Sequence, residues 1–217
     1  MGIIYDIING KDNMGEVEVV GMDTLIERER NLSYIFEHQK NVLIAYIKLF
    51  TPTNIEKLKN RGIINDNILE ELAQELIEHD ASKFSPEEFE FYRRRFFPTK
   101  DEKNNSDEGK SIEDTFEIAW RHHYLNNPHH PEYWRWVLPG STKKSPNYSN
   151  TRLPQGTPMD IVSILHMICD WEAMSVKFGS DTLEWYNSER ANDEKEAMHP
   201  ETRKKLEEIL SILYSQG

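Results

Sequence analysis

The chain has 217 residues, of which 37% are hydrophobic, 11% aromatic and 29% charged, and its net charge is −12. This length fits a single domain, and the apolar content is sufficient for a packed core, which excludes general disorder. No run approaches the about 18 apolar residues of a membrane span, and the acidity argues against a protein that coats long nucleic acid. A single cysteine, Cys169, indicates a reducing compartment, so we predict a cytoplasmic protein with no membrane partner.

Two regions differ in their hydrophobic pattern. Residues 1–21 contain two short β-rich runs around a turn rich in Asn and Gly, which predicts an N-terminal β-hairpin extension. Residues 22–217 show apolar spacing typical of helices, without an internal repeat or a linker. The predicted fold is therefore all-α, with one helical domain that follows the hairpin.

Apolar periodicity and capping signals predict the successive helices. In chain order we expect them at about residues 23–50, 54–60, 66–79, 85–98, 112–125, 132–137, 157–178, 182–195 and 200–214. Residues 99–110 contain no apolar side chain and are expected to form a mobile loop.

The charge is unevenly distributed along the chain. Five basic residues and one acidic residue lie between Arg121 and Arg152, a net charge of +4 that leaves −16 for the rest. The same stretch holds four of the eight histidines. A basic, histidine-rich segment in an acidic protein is typical of an enzyme for a small anion, and a chance cluster of charges is the alternative.

The strongest chemical signal is the pair His79-Asp80 at the end of an apolar helix. Imidazole nitrogen and carboxylate oxygen together suit Mn, Fe, Co, Ni or Zn. His38 and Asp170 lie on the apolar faces of two other predicted helices, where a polar group needs a partner or an ion. An ordinary hydrogen bond or ion pair in the core would also explain each of these residues alone. The hypothesis of a metal site therefore depends on their combination.

The histidine-rich stretch offers further ligands. We expect His123 to point inward, because it shares a helix face with apolar residues, whereas His122 faces another side. At least one of His129 and His130 is expected to reach the site, because prolines on both sides fix their turn. His166, one turn before Asp170, is expected to support a ligand or to pack in the core.

The order His38, His79-Asp80 and Asp170 resembles the HD superfamily of metal-dependent phosphohydrolases, and Lys83 extends it to His-Asp-x-x-Lys. The strings HDASKFSPEEFEFY, AWRHHYLNNPHHPEYW and CDWEAM are similar to a family of uncharacterised bacterial and phage proteins. This second resemblance covers about residues 32–190. It implies the cytoplasm of a bacterium, or of the host cell if a phage encodes the chain.

The HD resemblance implies a helical bundle that holds one or two divalent ions, from among Mn, Fe, Co, Ni, Mg and Zn. The implied ligands are His38, His79, Asp80 and Asp170, with further nitrogens from His123, His129 and His130. Asp80 and Lys83 would act in catalysis, and Lys83, Arg121 and Arg135 would bind the substrate. The implied activity is metal-dependent hydrolysis of a small phosphorylated molecule, with a nucleotide favoured and long nucleic acid disfavoured.

Two other functions remain open on the sequence alone. An HD-fold di-iron oxygenase also uses extra histidines between the His-Asp pair and the last aspartate. A helical protein with a structural metal ion and no activity is the third hypothesis. The sequence predicts no particular oligomeric state.

Three further groups of residues have ordinary and functional interpretations. Glu78 and Glu132 are available as hydrogen-bond acceptors for a ligating histidine. The aromatic rings of Tyr133, Trp134 and Trp136 either stack on a base or pack the short helix onto the core. Cys169, in a buried part of its helix, is expected to be inert.

Overall fold

The computed structural model describes residues 21–104, 106–135, 156–188, 191–192, 195 and 198–215. The described residues contain helices and no strand, so the all-α prediction is confirmed. The predicted hairpin over residues 1–21 lies outside the described residues, except for Gly21. None of the described helices is long and apolar enough to cross a membrane.

The α-helices are numbered here in chain order. They are α1 (Met22–Leu49), α2 (Pro52–Asn60), α3 (Asp66–Ile77), α4 (Phe89–Phe96), α5 (Lys100–Asn104), α6 (Ser106–Asn126), α7 (Ile161–Lys177), α8 (Thr182–Asn187) and α9 (Pro200–Leu213). Two short 3-10 helices follow α3 and α6, at Ala81–Phe84 and Pro131–Trp134.

Helix α7 is the centre of the bundle. Every residue from Val162 to Cys169 is buried, so the helix is covered on all sides. It packs against α1 and α3, while α9 packs against α2. The apolar core accordingly joins Val42 of α1, Leu72 of α3 and Leu206 of α9 to this central helix.

Helices α4 and α6 form a second layer, which packs on α1 through α4. Aromatic rings hold this layer together, with the ring of Phe116 5.2 Å from that of Tyr92 and 5.4 Å from that of Phe96. Edge-to-face contacts at such distances are favourable. The candidate ligands lie where this layer meets α1, α3 and α7.

The prediction of a mobile loop over residues 99–110 is wrong, because α5 and the start of α6 occupy this segment. The Thr99 amide donates to Glu102 Oε2 at 2.7 Å, and the Glu102 amide donates to Thr99 Oγ1 at 3.3 Å. This reciprocal pair is a capping box. Glu102 also accepts two hydrogen bonds from buried Arg93, at 2.7 and 2.8 Å, which fixes the segment against α4.

Other helix boundaries also differ from the expected ones. Helix α4 begins at Phe89 rather than at residue 85, because the Glu88 side chain is buried and does not cap the backbone of Ser85. The short helix expected over 132–137 is a 3-10 turn that ends at Trp134. The helix expected over 182–195 ends at Asn187, since the next residue has an extended backbone.

Candidate metal centre

The His79-Asp80 pair follows the end of α3, where the chain turns sharply. Asp80 has φ 57° and ψ 24°, and it is the one non-glycine residue with positive φ in the described part of the chain. This left-handed conformation is unfavourable for most residues, although Asp and Asn tolerate it best. It aims a fully buried carboxylate at the space between α1, α6 and α7. Gln39 of α1 donates a hydrogen bond to the carbonyl of His79 at 2.7 Å and fixes the turn.

The first group of candidate ligands joins Asp80 Oδ2 to His38, His79 and Asp170. His38 Nε2 lies 3.0 Å from Asp170 Oδ1 and 3.0 Å from His79 Nε2. Asp80 Oδ2 lies 3.3 Å from His79 Nε2 and 3.9 Å from His38 Nε2. Atoms bound at about 2.1 Å to one octahedral ion lie about 3 Å apart when adjacent and about 4 Å apart when opposite. His38, His79 and Asp170 therefore have the dimensions of a ligand set for one ion, with Asp80 Oδ2 beside them.

The second group joins the other carboxylate oxygen of Asp80 to three histidines. Asp80 Oδ1 lies 3.2 Å from His123 Nε2 and 3.5 Å from His129 Nε2. His123 Nε2 lies 2.9 Å from His130 Nε2. The structure thus brings both His129 and His130 to Asp80, and it confirms that His123 points inward. The Asp80 carboxylate lies between the two groups and contacts each through a different oxygen.

Three buried atoms, namely Asp80 Oδ1, His129 Nε2 and Asp170 Oδ1, make no well-aligned hydrogen bond within the described residues, although each lies 3.0 to 3.5 Å from a polar atom of another ligand. A buried polar atom left without a partner costs about 1–3 kcal/mol. Coordination of a cation would satisfy such atoms, which offer lone pairs. The buried histidines and aspartates are close enough to hold a metal ion, and their unsatisfied atoms are of the type that binds one.

Burial and neighbouring charges set the protonation of the ligands. Burial lowers the pKa of His79 to about 3 and holds the pKa of His130 well below its usual value. Burial raises the pKa of Asp80, but the interactions of its carboxylate with His79, Lys83 and His123 outweigh burial and hold this pKa well below its usual range. At neutral pH the imidazoles of His79 and His130 are therefore neutral and the carboxylate is ionised, which are the forms that bind metals.

Lys83 places a positive charge beside the centre. Its Nζ lies 2.5 Å from Asp80 Oδ2 and 5.4 Å from the centre of the Tyr92 ring, in a cation–π contact. Burial lowers the pKa of Lys83, but the nearby Asp80 carboxylate outweighs this effect and raises it. The ammonium group is therefore charged at neutral pH and is available to neutralise negative charge on a ligand.

Glu88 orients the second group, a role that the sequence analysis missed. This fully buried carboxylate lies 2.8 Å from His123 Nδ1 and 2.7 Å from His122 Nδ1. The carboxylates of Asp80 and Glu88 outweigh burial and raise the pKa of His123. His123 donates its Nδ1–H to Glu88, so its Nε2 faces Asp80. A cation that displaces the proton on Nε2 would bind the lone pair of this nitrogen. Carboxylate–histidine pairs of this kind orient metal ligands in many proteins.

We expect Glu88→Gln to weaken metal binding about 10- to 100-fold, the usual effect of removing a carboxylate that orients a ligating histidine. His122 and His123 face different oxygens of Glu88, and Gln replaces one of these oxygens with an NH2 donor, so it cannot accept at both positions. Titration of metal-free protein with Zn²⁺ in the presence of a competing chelator measures the change. Glu87→Gln, in the exposed neighbouring residue, is the matched control. Equal affinities for the two variants would mean that Glu88 does not orient a ligand.

His166 also contacts the centre, and its contact partner is His79. His166 Nε2 lies 2.8 Å from His79 Nδ1, and burial lowers the pKa of His166 to about 2. In the sequence, the signal for this contact was the position of His166 one helical turn before Asp170. Glu78, in contrast, is exposed and accepts a hydrogen bond from Gln74 at 2.6 Å, so it contacts neither group.

The predicted substrate-binding arginines have different environments. Arg121 is exposed on α6. Arg135 lines a pocket together with Trp134, Thr157 and Met198. A separate cavity of about 350 Å³ opens beside the histidines, and neither arginine is among its described lining residues. A role for Arg121 and Arg135 in substrate binding stays a prediction.

Other sequence expectations concern residues around the centre. Trp134 donates a hydrogen bond to the Pro128 carbonyl at 2.7 Å and packs against the core, whereas Tyr133 is exposed. Trp136 lies outside the described residues, and Glu132 is buried. Cys169 is fully buried, and burial raises the pKa of its thiol, in agreement with an inert residue.

Comparison with known proteins gives a family and no activity. No curated protein matches the chain, and no solved structure matches it. The model of a family of unknown function, DUF5662, matches residues 27–212, which include every candidate ligand named above. The chain therefore belongs to the DUF5662 family.

Proposed function

We propose that this protein is an HD-type, metal-dependent phosphohydrolase that acts on a small phosphorylated molecule, with a nucleotide favoured. The observation that supports this proposal best is the position of the Asp80 carboxylate. Its two oxygens face two separate groups of nitrogen and oxygen ligands, at 3.2 to 3.9 Å from the nearest histidines. A carboxylate shared in this way suits a pair of divalent ions, which is one of the arrangements used for phosphoester hydrolysis.

The protein residues would have separate roles in this reaction. A divalent ion held at the centre would supply a bound water of lowered pKa and would polarise a phosphoryl oxygen. His38, His79 and Asp170 would hold one ion, and His123, His129 and His130 the other, with Asp80 between them. Lys83 would neutralise negative charge that develops on the phosphoryl oxygens, since its ammonium already lies beside Asp80.

The preference for a nucleotide is supported by an exposed aromatic residue whose backbone adjoins a member of the second group. The Tyr133 amide donates to the His130 carbonyl at 3.1 Å, and the Tyr133 side chain is exposed. Stacking of a base on an aromatic ring contributes about 1–3 kcal/mol. The lysine and the aromatic residue together suit a ligand that has both a phosphate and a base.

The test is a phosphate-release assay on metal-free protein reloaded with Mn²⁺, Co²⁺, Ni²⁺, Mg²⁺, Zn²⁺ or Fe²⁺, against nucleotides and simple phosphoesters. We expect Lys83→Ala to keep its ions and to lose about 10²-fold in kcat, as when one charge-stabilising donor is removed. Lys59→Ala, in an exposed lysine of α2, is the matched control. Full metal content with no phosphate release from any compound would contradict the proposal and favour a structural metal site.

A di-iron oxygenase is the second candidate, because five histidines surround Asp80. His38, His79, His123 and His129 lie within 3.9 Å of its carboxylate oxygens, and His130 contacts His123. A ligand set rich in imidazole suits iron as well as the other transition metals. Iron in the purified protein, together with oxygen uptake in the presence of the substrate, would favour this candidate, since a hydrolase consumes no oxygen.

A further inference from the structure

A cavity of about 350 Å³ adjoins the metal centre on the side of His79 that faces away from His38. The residues that line it include Glu75, Glu78, His79, His129 and His166. On this side the His79 ring presents its Nδ1, while its Nε2 faces the first group. The two nitrogens of this ring thus face two different environments.

Three imidazole rings meet at this cavity. His79 Nδ1 lies 2.8 Å from His166 Nε2. The His129 ring stacks on His166 with 4.2 Å between the centroids, and it lies 4.7 Å from the His79 ring. Each ring offers a nitrogen within 4.8 Å of the nitrogens of the other two, which is close enough for all three to bind one ion. The cavity therefore has three convergent nitrogen ligands.

A second observation indicates that the ligand is a cation. His129 is 2% exposed, and its Nε2 has no hydrogen-bond partner among the described residues. The cavity lining also includes the carboxylates of Glu75 and Glu78, and its described members include no lysine or arginine. The Nε2 of His129 lies 3.5 Å from Asp80 Oδ1, so acidic groups lie on both sides of the His129 ring, and they favour a positive ligand over an anionic one.

We propose that His79, His129 and His166 hold a further divalent transition-metal ion at this cavity, separate from the two groups around Asp80. Imidazole ligands select Zn²⁺, Co²⁺, Ni²⁺, Cu²⁺ or Fe²⁺ over Mg²⁺ and Ca²⁺. Three histidines would leave a coordination position for a further ligand, and the adjoining cavity has room for water or a small molecule.

The ligand sets of the three ions are compatible. His79 binds the cavity ion through Nδ1, whose proton goes to solvent, and keeps Nε2 for the first group. His129 faces both the cavity and Asp80, and when it binds the cavity ion, the second ion keeps Asp80, His123 and His130 of the four ligands proposed for it above. The cavity site does not depend on the proposed phosphohydrolase activity.

The experiment counts bound zinc. Metal-free protein is titrated with Zn²⁺, and the bound equivalents are measured by elemental analysis after removal of free metal. We expect His166→Ala to bind one equivalent fewer than the wild type, with the other ions retained. The matched control is His199→Ala, because His199 caps α9 and contributes to neither group. His199→Ala is expected to bind as much zinc as the wild type.

Crystals of the zinc-loaded wild type provide a measurement that needs no variant. Anomalous scattering at the zinc edge is expected to show a peak between the rings of His79, His129 and His166. Absence of this peak at saturating zinc would overturn the proposal. So would a His166→Ala variant that binds as many equivalents as the wild type with lower affinity, because His166 would then be only a hydrogen-bond acceptor for His79.

Discussion

We expect Asp80→Asn to lose most of its bound metal and to lose more than about 10²-fold in any metal-dependent activity. The ionised carboxylate contacts His79 through one oxygen and His123 through the other, so a single substitution affects both groups of ligands. An amide keeps one neutral oxygen and replaces the other with a donor, which does not bind a cation. Elemental analysis of the purified variant, together with the phosphate-release assay, measures both effects.

Asn is the informative replacement because of the backbone at this position. Asp80 has φ 57°, which Asn tolerates well and which is unfavourable for Ala. Loss of metal in Asp80→Asn can therefore be assigned to the carboxylate rather than to a distorted turn. Asp66→Asn, in an exposed aspartate at the start of α3, is the control for the charge change. An Asp80→Asn protein with its full metal content would show that this centre is not the metal site.

Much of the fold follows from local patterns in the sequence. The apolar periodicity predicts α1 and α7 to within a few residues, because tertiary packing and local spacing favour the same helical faces. The start of α4 could not be found in this way. Ser85-Pro86-Glu87-Glu88 has the spacing of a capping box, but Glu88 binds two histidines of α6 instead of the nearby backbone. This long-range contact competes with the capping box, and no pattern in the neighbouring sequence indicates it.

The segment that contains α5 shows the opposite case. Thr99-Lys100-Asp101-Glu102 carries a local capping signal, which the absence of apolar residues obscured. The capping box and the ion pair between Glu102 and Arg93 together hold the segment in place of a hydrophobic face. Polar composition alone therefore does not predict a loop when such contacts are available.

The candidate site could be predicted only in part. His38, His79, Asp80 and Asp170 stand out because polar residues on apolar helix faces need partners, and the structure brings all four together. The roles of Glu88 and His166 could not be assigned from the sequence. They depend on which ring nitrogen of His123 faces Glu88 and which ring nitrogen of His79 faces His166. That depends on the packing of α4 and α7 against the centre, which residue spacing does not encode.

Glu172 connects the helix that carries Asp170 to three other parts of the bundle. Its carboxylate is fully buried and pairs with Lys48 of α1. It also accepts hydrogen bonds from the amide and hydroxyl of Thr182 at 3.1 and 2.9 Å, and from the hydroxyl of Tyr214 after α9. Since α1 carries His38, these contacts hold together the helices that place His38 beside Asp170.

We expect Glu172→Ala to lower the free energy of unfolding by about 3–5 kcal/mol, since it removes a buried charge and leaves buried donors without an acceptor. Urea denaturation of the metal-free protein measures this loss. The control is Glu208→Ala, which removes the partner of Arg61 in a partly exposed pair at 3.6 Å and should cost less than about 1 kcal/mol. Equal losses for the two variants would contradict a structural role for Glu172.

The stability difference between wild type and Glu172→Ala should depend on pH. Burial raises the pKa of Glu172, but Lys48, Tyr214 and Thr182 outweigh it and lower this pKa below the usual value of 4.5. The Glu172 carboxylate therefore binds a proton more readily in the unfolded chain than in the folded protein. Its contribution to the free energy of unfolding is fully present above about pH 4.5 and is lost as the pH falls through the pKa of the folded protein. Denaturation curves at pH 7 and at pH 3.5 should show a smaller difference at the lower pH. A stability difference that is larger at pH 3.5 than at pH 7 would mean that Glu172 is protonated in the folded protein. Lys48 would then have no charged partner to hold α1 against α7.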